Sequence, residues 1–345
     1  MNLGRSAALT GFVDAARAAG LDPIKLAAEV GLPVAAFADP DLKISSVTTW
    51  AIYELAAERS GMPDFALRVA EKRKLSNLGL LGLLAREQPT LRRAVATLAQ
   101  FVWLQTDSLI LHLEETEDVG ILRYATTIPV GPQMSELAIG VGWGILRTLV
   151  GEGLKPQDIC FTHAAPADIS THRRVFGRAP LFEQDFFGIV LLLSDLDRPI
   201  AAADPDMARQ VTRYVDKVTS GRGATFGDKV RDLIVMMLPN GSCSADRVAQ
   251  SLAMDRRTLQ RHLAAEGTSF TLLLESTRRN LAESLLTSSG RSLQRIAEIL
   301  GFSSLSAFAH WFRRQFGRSA SEYRAQRFKR IDPPPPTGRD QLQMI

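Results

Sequence analysis

A run of arginine and glutamine side chains stands on a short amphipathic segment in the last third of the chain. Its polar members are Arg256, Arg257, Gln260 and Arg261. Leu259 and Leu263 recur among them at helical spacing, so one face of the helix is apolar and the other is basic. Arginine can make bidentate hydrogen bonds to guanine, and glutamine can make them to adenine. The pattern predicts a helix that contacts the base edges of nucleic acid.

The elements that position this helix have the arrangement of a helix-turn-helix. Ser244 caps a short helix that continues to Leu252, and Asp255 caps a second helix over residues 256–263 after a turn of about three residues. Ala249 is small where the two helices must cross closely. The space between the helices is filled by Val248, Leu252, Leu259 and Leu263. We place this unit at about residues 245–263.

The same pattern returns 48 residues later. Ser292 caps a helix with Ile296, Ala297 and Leu300, which match Val248, Ala249 and Leu252. After a turn, Phe308 and Phe312 take the places of Leu259 and Leu263, shifted by one inserted residue. This internal duplication predicts a second helix-turn-helix at about residues 293–316. A longer helix over residues 270–286 could hold the two units at a fixed separation.

The charge of the chain is unevenly distributed. The 345 residues carry a formal net charge of +4, with 46% hydrophobic residues. Residues 226–330 contain 17 Lys and Arg against 9 Asp and Glu, whereas residues 1–225 contain 23 against 26. A basic module fused to an acidic one is the charge pattern of a nucleic-acid-binding domain joined to another domain. On charge alone, a solvated helical surface rich in arginine is an equal alternative, so the helical pattern has to decide.

Several classes of protein are excluded by simple features. No apolar run approaches the roughly 18 residues that a membrane span requires, and Asp14 and Arg17 interrupt any secretion signal. We therefore expect a cytoplasmic protein without membrane contact. Cys160 and Cys243 are too few for a zinc cage and do not suggest a disulfide framework.

The C-terminal third resembles the AraC/XylS family of bacterial transcription regulators over about 100 residues. The matching motifs are residues 257–263, Arg278 with Ala282, Leu285 and Leu286, Ile296 and Ala297, residues 300–302, residues 306–308, Trp311 and Phe312, Phe316 and Gly317, and residues 321–324. The resemblance implies that each unit places one helix in successive major grooves of double-stranded DNA, about one helical turn apart. It also implies a promoter or operator as target and RNA polymerase as a partner. Activation is the role we assign among the expected functions, but the sequence does not distinguish an activator from a repressor.

Roles follow from the resemblance residue by residue. Arg257, Gln260 and Arg261 would face bases in the first unit, with Arg256 near phosphate. In the second unit Ser306 and His310 would occupy the corresponding outward places. The residues expected near the DNA backbone are Ser303, Ser304, Arg313 and Arg314.

Two of these roles have structural alternatives, and two positions depart from the family pattern. His310 could be a satisfied surface or core residue, and Arg313 and Arg314 could serve only the helix dipole. Ala253 replaces the usual turn glycine, and Ala320 replaces a usual proline. A turn that needs a positive φ at Ala253 would cost about 1 kcal/mol.

The first two thirds of the chain predict an α+β domain. We expect helices over residues 1–75, namely at 10–19, 22–30 and 48–60, and further helices at 90–101 and 135–150. Alternating residues predict two strands at 109–114 and 120–126, joined by an acidic turn, with further strands at 158–162 and 187–193. Helices and a small antiparallel sheet would then share one domain, followed by an all-α domain.

This region resembles the arabinose-binding-type N-terminal domain of regulators related to the ornithine-utilisation regulator. The resemblance rests on residues 20–23, 31–33, 79–82, 90–92, 172–177, 196–199 and 203–205. It implies a sensor for a small-molecule effector, whose identity and binding residues stay unknown because effectors vary widely within the family.

Catalytic and cofactor-binding patterns are weak in this region. Gly140, Gly142 and Gly144 lack the spacing of a phosphate loop, and close helix packing is the better interpretation. His112, His163 and His172 have no metal-ligand spacing. In a strand, Cys160 and His163 would point to opposite faces, which disfavours a nucleophile pair. Three tryptophans could line an effector pocket, although a place in the core is the default: Trp50, Trp103 and Trp143. We predict no catalytic residues, no metal and no cofactor.

The sequence as a whole predicts a sequence-specific DNA-binding transcription regulator that responds to a small molecule. Residues 1–218 would sense the effector or mediate homodimerisation, residues 219–227 would form a linker, and residues 228–328 would bind DNA. The proline-rich residues 331–345 would be a disordered tail. The alternatives are an enzyme that transforms its ligand, and a protein-interaction adaptor that keeps the helix-turn-helix fold.

Overall fold

The computed structural model describes residues 2–128, 130–219, 225–241, 243–252, 254–288 and 292–328. Up to residue 219 its helices are α1 (Phe12–Ala18), α2 (Pro23–Val30), α3 (Ser46–Ser60), α4 (Phe65–Glu71), α5 (Leu80–Arg86), α6 (Leu91–Phe101), α7 (Pro132–Val150), α8 (Ser170–Phe176), α9 (Leu193–Leu196) and α10 (Pro205–Thr219). The strands are β1 (Leu3–Arg5), β2 (Lys43–Ser45), β3 (Leu109–Glu115), β4 (Val119–Thr126), β5 (Asp158–Cys160) and β6 (Phe187–Leu192).

Four of the strands form an antiparallel sheet in the order β3-β4-β6-β5. Its central pairing sets Leu122 opposite Ile189, and both side chains are buried. The four strands expected from the sequence are present, although β5 ends at Cys160 and β6 at Leu192, where α9 begins. The predicted fold class, an α+β domain followed by an all-α domain, is confirmed.

A second, two-stranded sheet was not foreseen. Residues 1–75 were expected to be helical, but β1 pairs with β2 with Gly4 opposite Ile44. Strands of three residues are too short to show alternation, and their pairing joins segments about 40 residues apart. Gly4 also approaches Thr106 closely, since a Cβ at this position would lie 3.2 Å from the Thr106 hydroxyl oxygen.

The N-terminal core forms around α4 and α7. Gly140 lies where these helices cross, and a Cβ there would lie 2.8 Å from the Cβ of Ala70. A Cβ at Gly142 would collide with the Tyr124 hydroxyl, whereas Gly144 has open space around it. Close packing therefore explains why Gly140 and Gly142 are glycines. All three glycines lie within helix α7 and not in a phosphate-binding loop.

The C-terminal helices surround one long central helix. They are α11 (Phe226–Met237), α12 (Ala245–Ser251), α13 (Arg256–Ala265), α14 (Phe270–Ser288), α15 (Leu293–Ile299), α16 (Leu305–Phe316) and α17 (Ala320–Phe328). Two apolar clusters each include residues of α14, Leu273 in the first and Ala282 with Leu286 in the second. One includes Leu259 and Leu263, and the other includes Phe308 and Phe312. Each helix-turn-helix thus has its own small core.

Parts of the predicted domain organisation stay predictions. Helix α10 extends to Thr219 and α11 begins at Phe226, so both ends of the expected linker at 219–227 are helical. Residues 220–224 lie outside the described residues, as do Ala253 and the tail expected at 331–345.

Candidate functional site

The first candidate recognition helix is α13. Asp255 caps it by accepting a hydrogen bond from the Thr258 amide at 2.7 Å. Leu259 and Leu263 are fully buried, which fixes the rotation of the helix on its unit. The same rotation exposes Arg256, Arg257, Gln260 and Arg261. These four polar side chains form a continuous surface that is available to a ligand outside the domain.

One of the four has a partner within its own unit. The Arg256 guanidinium lies 3.4 Å from the carboxylate of Asp246 on α12. An exposed pair of this kind contributes little to stability. It does place the Arg256 side chain toward α12 and beside the surface formed by the other three.

The second candidate recognition helix is α16. Ser304 caps it, with its hydroxyl accepting from the Ala307 amide at 3.1 Å. Phe308, Trp311 and Phe312 are buried, and the predicted site residues lie on the opposite side. The exposed residues are Ser303, Ser304, Ser306, His310, Arg313 and Arg314. While its oxygen caps the helix, the Ser304 hydroxyl still has a proton that it can donate.

The central helix holds α16 through a carboxylate that accepts two hydrogen bonds from it. The Trp311 indole N–H donates to a Glu275 carboxylate oxygen at 2.7 Å, and the Gln315 amide donates to the same oxygen at 3.1 Å. On the adjacent turn of α14, Arg278 donates to the Leu300 carbonyl at 3.1 Å and stacks over the Phe302 ring. The second unit is thus attached to α14 at both of its helices.

A carboxylate of the first unit, that of Glu266, attaches the unit to the beginning of α11. Glu266, just after α13, accepts hydrogen bonds from the amides of Phe226 and Gly227 at 2.7 and 2.8 Å. A carboxylate at a helix N-terminus also interacts favourably with the helix dipole. These contacts hold α11 against the end of the recognition helix.

The turn of the second unit requires glycine. Gly301 has a φ of +71°, and a Cβ there would lie 2.9 Å from the Leu238 carbonyl oxygen. Its counterpart Ala253 lies outside the described residues, so the cost expected for that departure stays a prediction. At the other departure, Ala320 is buried at the start of α17, which begins without a proline.

His163 and His172 both lie close to one oxygen of the buried Glu136, which is distant from them in sequence. His172 Nε2 lies 2.9 Å from Glu136 Oε1, and His163 Nε2 lies 3.6 Å from the same oxygen. Sequence reasoning missed this cluster because its members are separated by 36 and 27 residues without a local pattern. Within the described residues, no group of three or more His, Cys, Asp or Glu side chains could hold a metal ion.

Cys160 has a buried thiol and precedes His163 closely in the chain. Burial raises the pKa of Cys160 to about 11, so the side chain is a neutral thiol at physiological pH. His163 packs against the ring of Phe161, with 5.1 Å between ring centroids, and its Nδ1 lies 3.0 Å from the Ala164 carbonyl oxygen. A protonated thiol is a poor nucleophile.

The three tryptophans of the N-terminal region have different environments. Trp50 lines an apolar cavity between α7 and strands β3 and β4. Trp143 is buried, and its indole donates to the Val175 carbonyl at 3.1 Å. Trp103 is half-buried against the core. The pocket interpretation therefore fits Trp50, and the core interpretation fits Trp143 and Trp103.

The described helices include none that combines the length and apolar character needed to span a membrane.

The two helix-turn-helix units and the α+β domain before them define a DNA-binding regulator with a separate ligand domain. Residues 20–200 match the family described as the arabinose-binding domain of AraC transcription regulator, N-term. Residues 248–326 match a helix-turn-helix domain family. The chain belongs to the AraC family of transcription regulators.

Similar proteins cover most of this chain. The HTH-type transcriptional regulator VirS of Mycobacterium tuberculosis is 31% identical over 326 residues, which are 93% of this chain and 96% of VirS. The ornithine utilization regulator of Pseudomonas aeruginosa is 27% identical over 76% of this chain and 79% of its own. The crystal structure of the transcriptional regulator CdpR from Pseudomonas aeruginosa aligns with a TM-score of 0.42 and 20% identity, over 88% of this chain and 96% of CdpR. These relatives are named as transcription regulators, not as enzymes.

Proposed function

We propose that α13 and α16 enter two successive major grooves on one face of double-stranded DNA. The observation that carries this proposal is the matched exposure of polar side chains on two recognition helices attached to one central helix. Arg257, Gln260 and Arg261 contact bases in the first groove. Ser306 and His310 contact bases in the second.

The remaining predicted residues bind the DNA backbone. Arg256, Ser303, Ser304, Arg313 and Arg314 are exposed beside the recognition surfaces. Arginine and serine are common phosphate ligands, and such contacts orient the protein without reading sequence. Residues 226–330 contain 17 basic and 9 acidic residues, and this positive balance supports binding to the DNA backbone.

The chain would act as an activator that contacts RNA polymerase in the cytoplasm, where bacterial DNA lies. The proposal of activation is supported by two relatives of the C-terminal region. The urease operon transcriptional activator of Escherichia coli is 34% identical over 100 residues, and the transcriptional activator RhrA of Rhizobium meliloti is 36% identical over 89 residues. Residues 1–218 would sense the effector or mediate homodimerisation, residues 219–227 would link the domains, and residues 228–328 would bind DNA.

Footprinting on DNA selected from a random library tests the groove arrangement. The full chain is expected to protect two patches on one face of the duplex, about 10 base pairs apart. Binding should weaken steeply with salt because phosphate contacts release counterions. A single protected patch, or affinity that does not change with salt, would contradict the proposal.

A further inference from the structure

The apolar cavity in the N-terminal domain has one unpaired cation in its wall. The cavity has a volume of about 160 Å³ and lies between α7, α5 and α6 and strands β3 and β4. Most of its lining is aliphatic or aromatic, as at Leu81, Leu122, Leu137 and Ile145. Arg73 and Arg5 also line it.

Arg73 is largely buried and has no acidic partner. Its Nη1 donates to the Ala8 carbonyl at 2.8 Å, which also accepts from the Tyr53 hydroxyl at 2.8 Å. Its Nε has no exposed surface and no hydrogen-bond partner in the described residues. No carboxylate in the described part of the chain lies within 4.0 Å of it. A buried guanidinium without a counter-ion is energetically unfavourable.

The neighbouring arginine is already neutralised. Arg5 donates to the Asp41 carboxylate at 2.6 Å and to the Gln105 side-chain oxygen at 2.9 Å. Burial and the charge of Arg5 both lower the pKa of Arg73, while the contact with Tyr53 opposes them. The uncompensated positive charge at the cavity is therefore that of Arg73.

We propose that this cavity binds an apolar monocarboxylate, with the carboxylate on Arg73 and the hydrocarbon part among the aliphatic side chains. An engineered cavity of roughly 150 Å³ lined by similar residues takes up benzene, so the hydrocarbon part of the ligand has about six or seven non-hydrogen atoms, to which the carboxylate adds its own carbon and two oxygens. A polyhydroxylated ligand would bury many hydroxyl groups against apolar walls with few partners, which is unfavourable.

Calorimetric titration of the full chain with octanoate and octanamide tests the role of the charge. The two probes have nearly the same shape, and only octanoate carries the negative charge. Octanoate should bind at least about tenfold more tightly, because a hydrogen bond to a charged group adds that order of affinity. This ligand assignment rests on the proposed effector-sensing function of the N-terminal domain. Because the titration contains no DNA, its result does not depend on the proposed contacts of α13 and α16 with the grooves.

Variants assign the effect to Arg73. Arg73→Met should reduce octanoate binding by about tenfold or more and leave octanamide within about threefold. Arg17→Met, at an exposed arginine of the same domain, should change neither affinity. Arg73→Met should also melt no lower than the native chain in the absence of ligand, since it removes a buried unpaired charge.

A second variant keeps the test decisive if Arg73→Met does not fold. Ala138→Phe places a ring in the cavity, because Ala138 lines it, and should abolish binding of both probes. Equal affinity of the native chain for octanoate and octanamide would overturn the proposal. So would unchanged octanoate binding in Arg73→Met or Ala138→Phe, binding of arabinose in preference to octanoate, or absence of octanoate binding at millimolar concentration.

Discussion

The Trp311 indole N–H donates a 2.7 Å hydrogen bond to the carboxylate of Glu275, which joins α16, the second candidate recognition helix, to the central helix α14. Trp311 is buried and the Glu275 side chain is only partly exposed, so the hydrogen bond is largely shielded from solvent. The position of α16 on the domain is therefore set by its buried aromatic side chains together with a carboxylate that lies 36 residues earlier in the chain.

Replacement of Glu275 by alanine should destabilise the C-terminal domain. The change leaves a buried indole N–H without an acceptor, at a cost of about 1–3 kcal/mol. Glu275→Gln keeps an oxygen acceptor and should lose less. Scanning calorimetry measures the effect as a lower Tm. Glu298→Ala removes an exposed carboxylate from α15 and should have almost no effect, and an equal loss in both variants would contradict this role of Glu275.

Replacement of Arg261 by alanine tests base recognition. If Arg261 reads a guanine, the loss of binding free energy on the selected site should be about 1–3 kcal/mol, with a relaxed preference at one base position. Fluorescence anisotropy with the selected and single-base-changed duplexes measures both. Arg17→Ala removes the same charge from the N-terminal domain and should bind normally. An equal loss on random DNA would assign Arg261 to phosphate.

Two glycine-to-alanine substitutions should have opposite signs. At Gly301 the positive φ costs an L-residue roughly 1–2 kcal/mol, and the added Cβ also approaches the Leu238 carbonyl. At Gly144, inside α7 with open space around it, alanine should stabilise the helix by roughly 0.5–1 kcal/mol. Calorimetric Tm values check both, and a Gly301→Ala chain as stable as the native one would show that the turn tolerates a side chain.

Glu54 should make the N-terminal domain less stable as the pH rises. Burial raises the pKa of Glu54 to about 7, against the hydrogen bonds that its carboxylate accepts from the Gln133 and Met134 amides. The folded chain therefore holds this proton more tightly than the unfolded chain. Its stabilising effect is complete below pH 4.5 and is lost as the pH rises through about 7.

Glu54→Gln removes this dependence while it keeps an oxygen for the Gln133 amide. The variant should match the native chain near pH 4.5 and exceed its stability at pH 8 by up to about 3 kcal/mol. Glu58→Gln, at an exposed position on the same helix, should leave the change in Tm between the two pH values as it is in the native chain. A native-like pH dependence in Glu54→Gln would exclude Glu54 as its source.

Much of the C-terminal domain could be predicted because its determinants are local. The caps Ser244 and Asp255 lie next to the helices that they begin, and the buried pairs at four-residue spacing lie within single helices. The duplication then indicated two units. The N-terminal domain was less predictable, since β1 and β2 are too short to show a period and pair across 40 residues.

The sequence by itself determined the order of the C-terminal helices, the exposed polar surfaces of α13 and α16, and the concentration of positive charge in the last third. Periodicity and capping act over a few residues, so they are readable before folding. Only the tertiary structure decided that Glu136 lies between His163 and His172, that Glu275 accepts from Trp311, and that Arg73 lines an apolar cavity without a carboxylate. These side chains come from separate elements, and their neighbours are set by long-range packing, which no local pattern encodes.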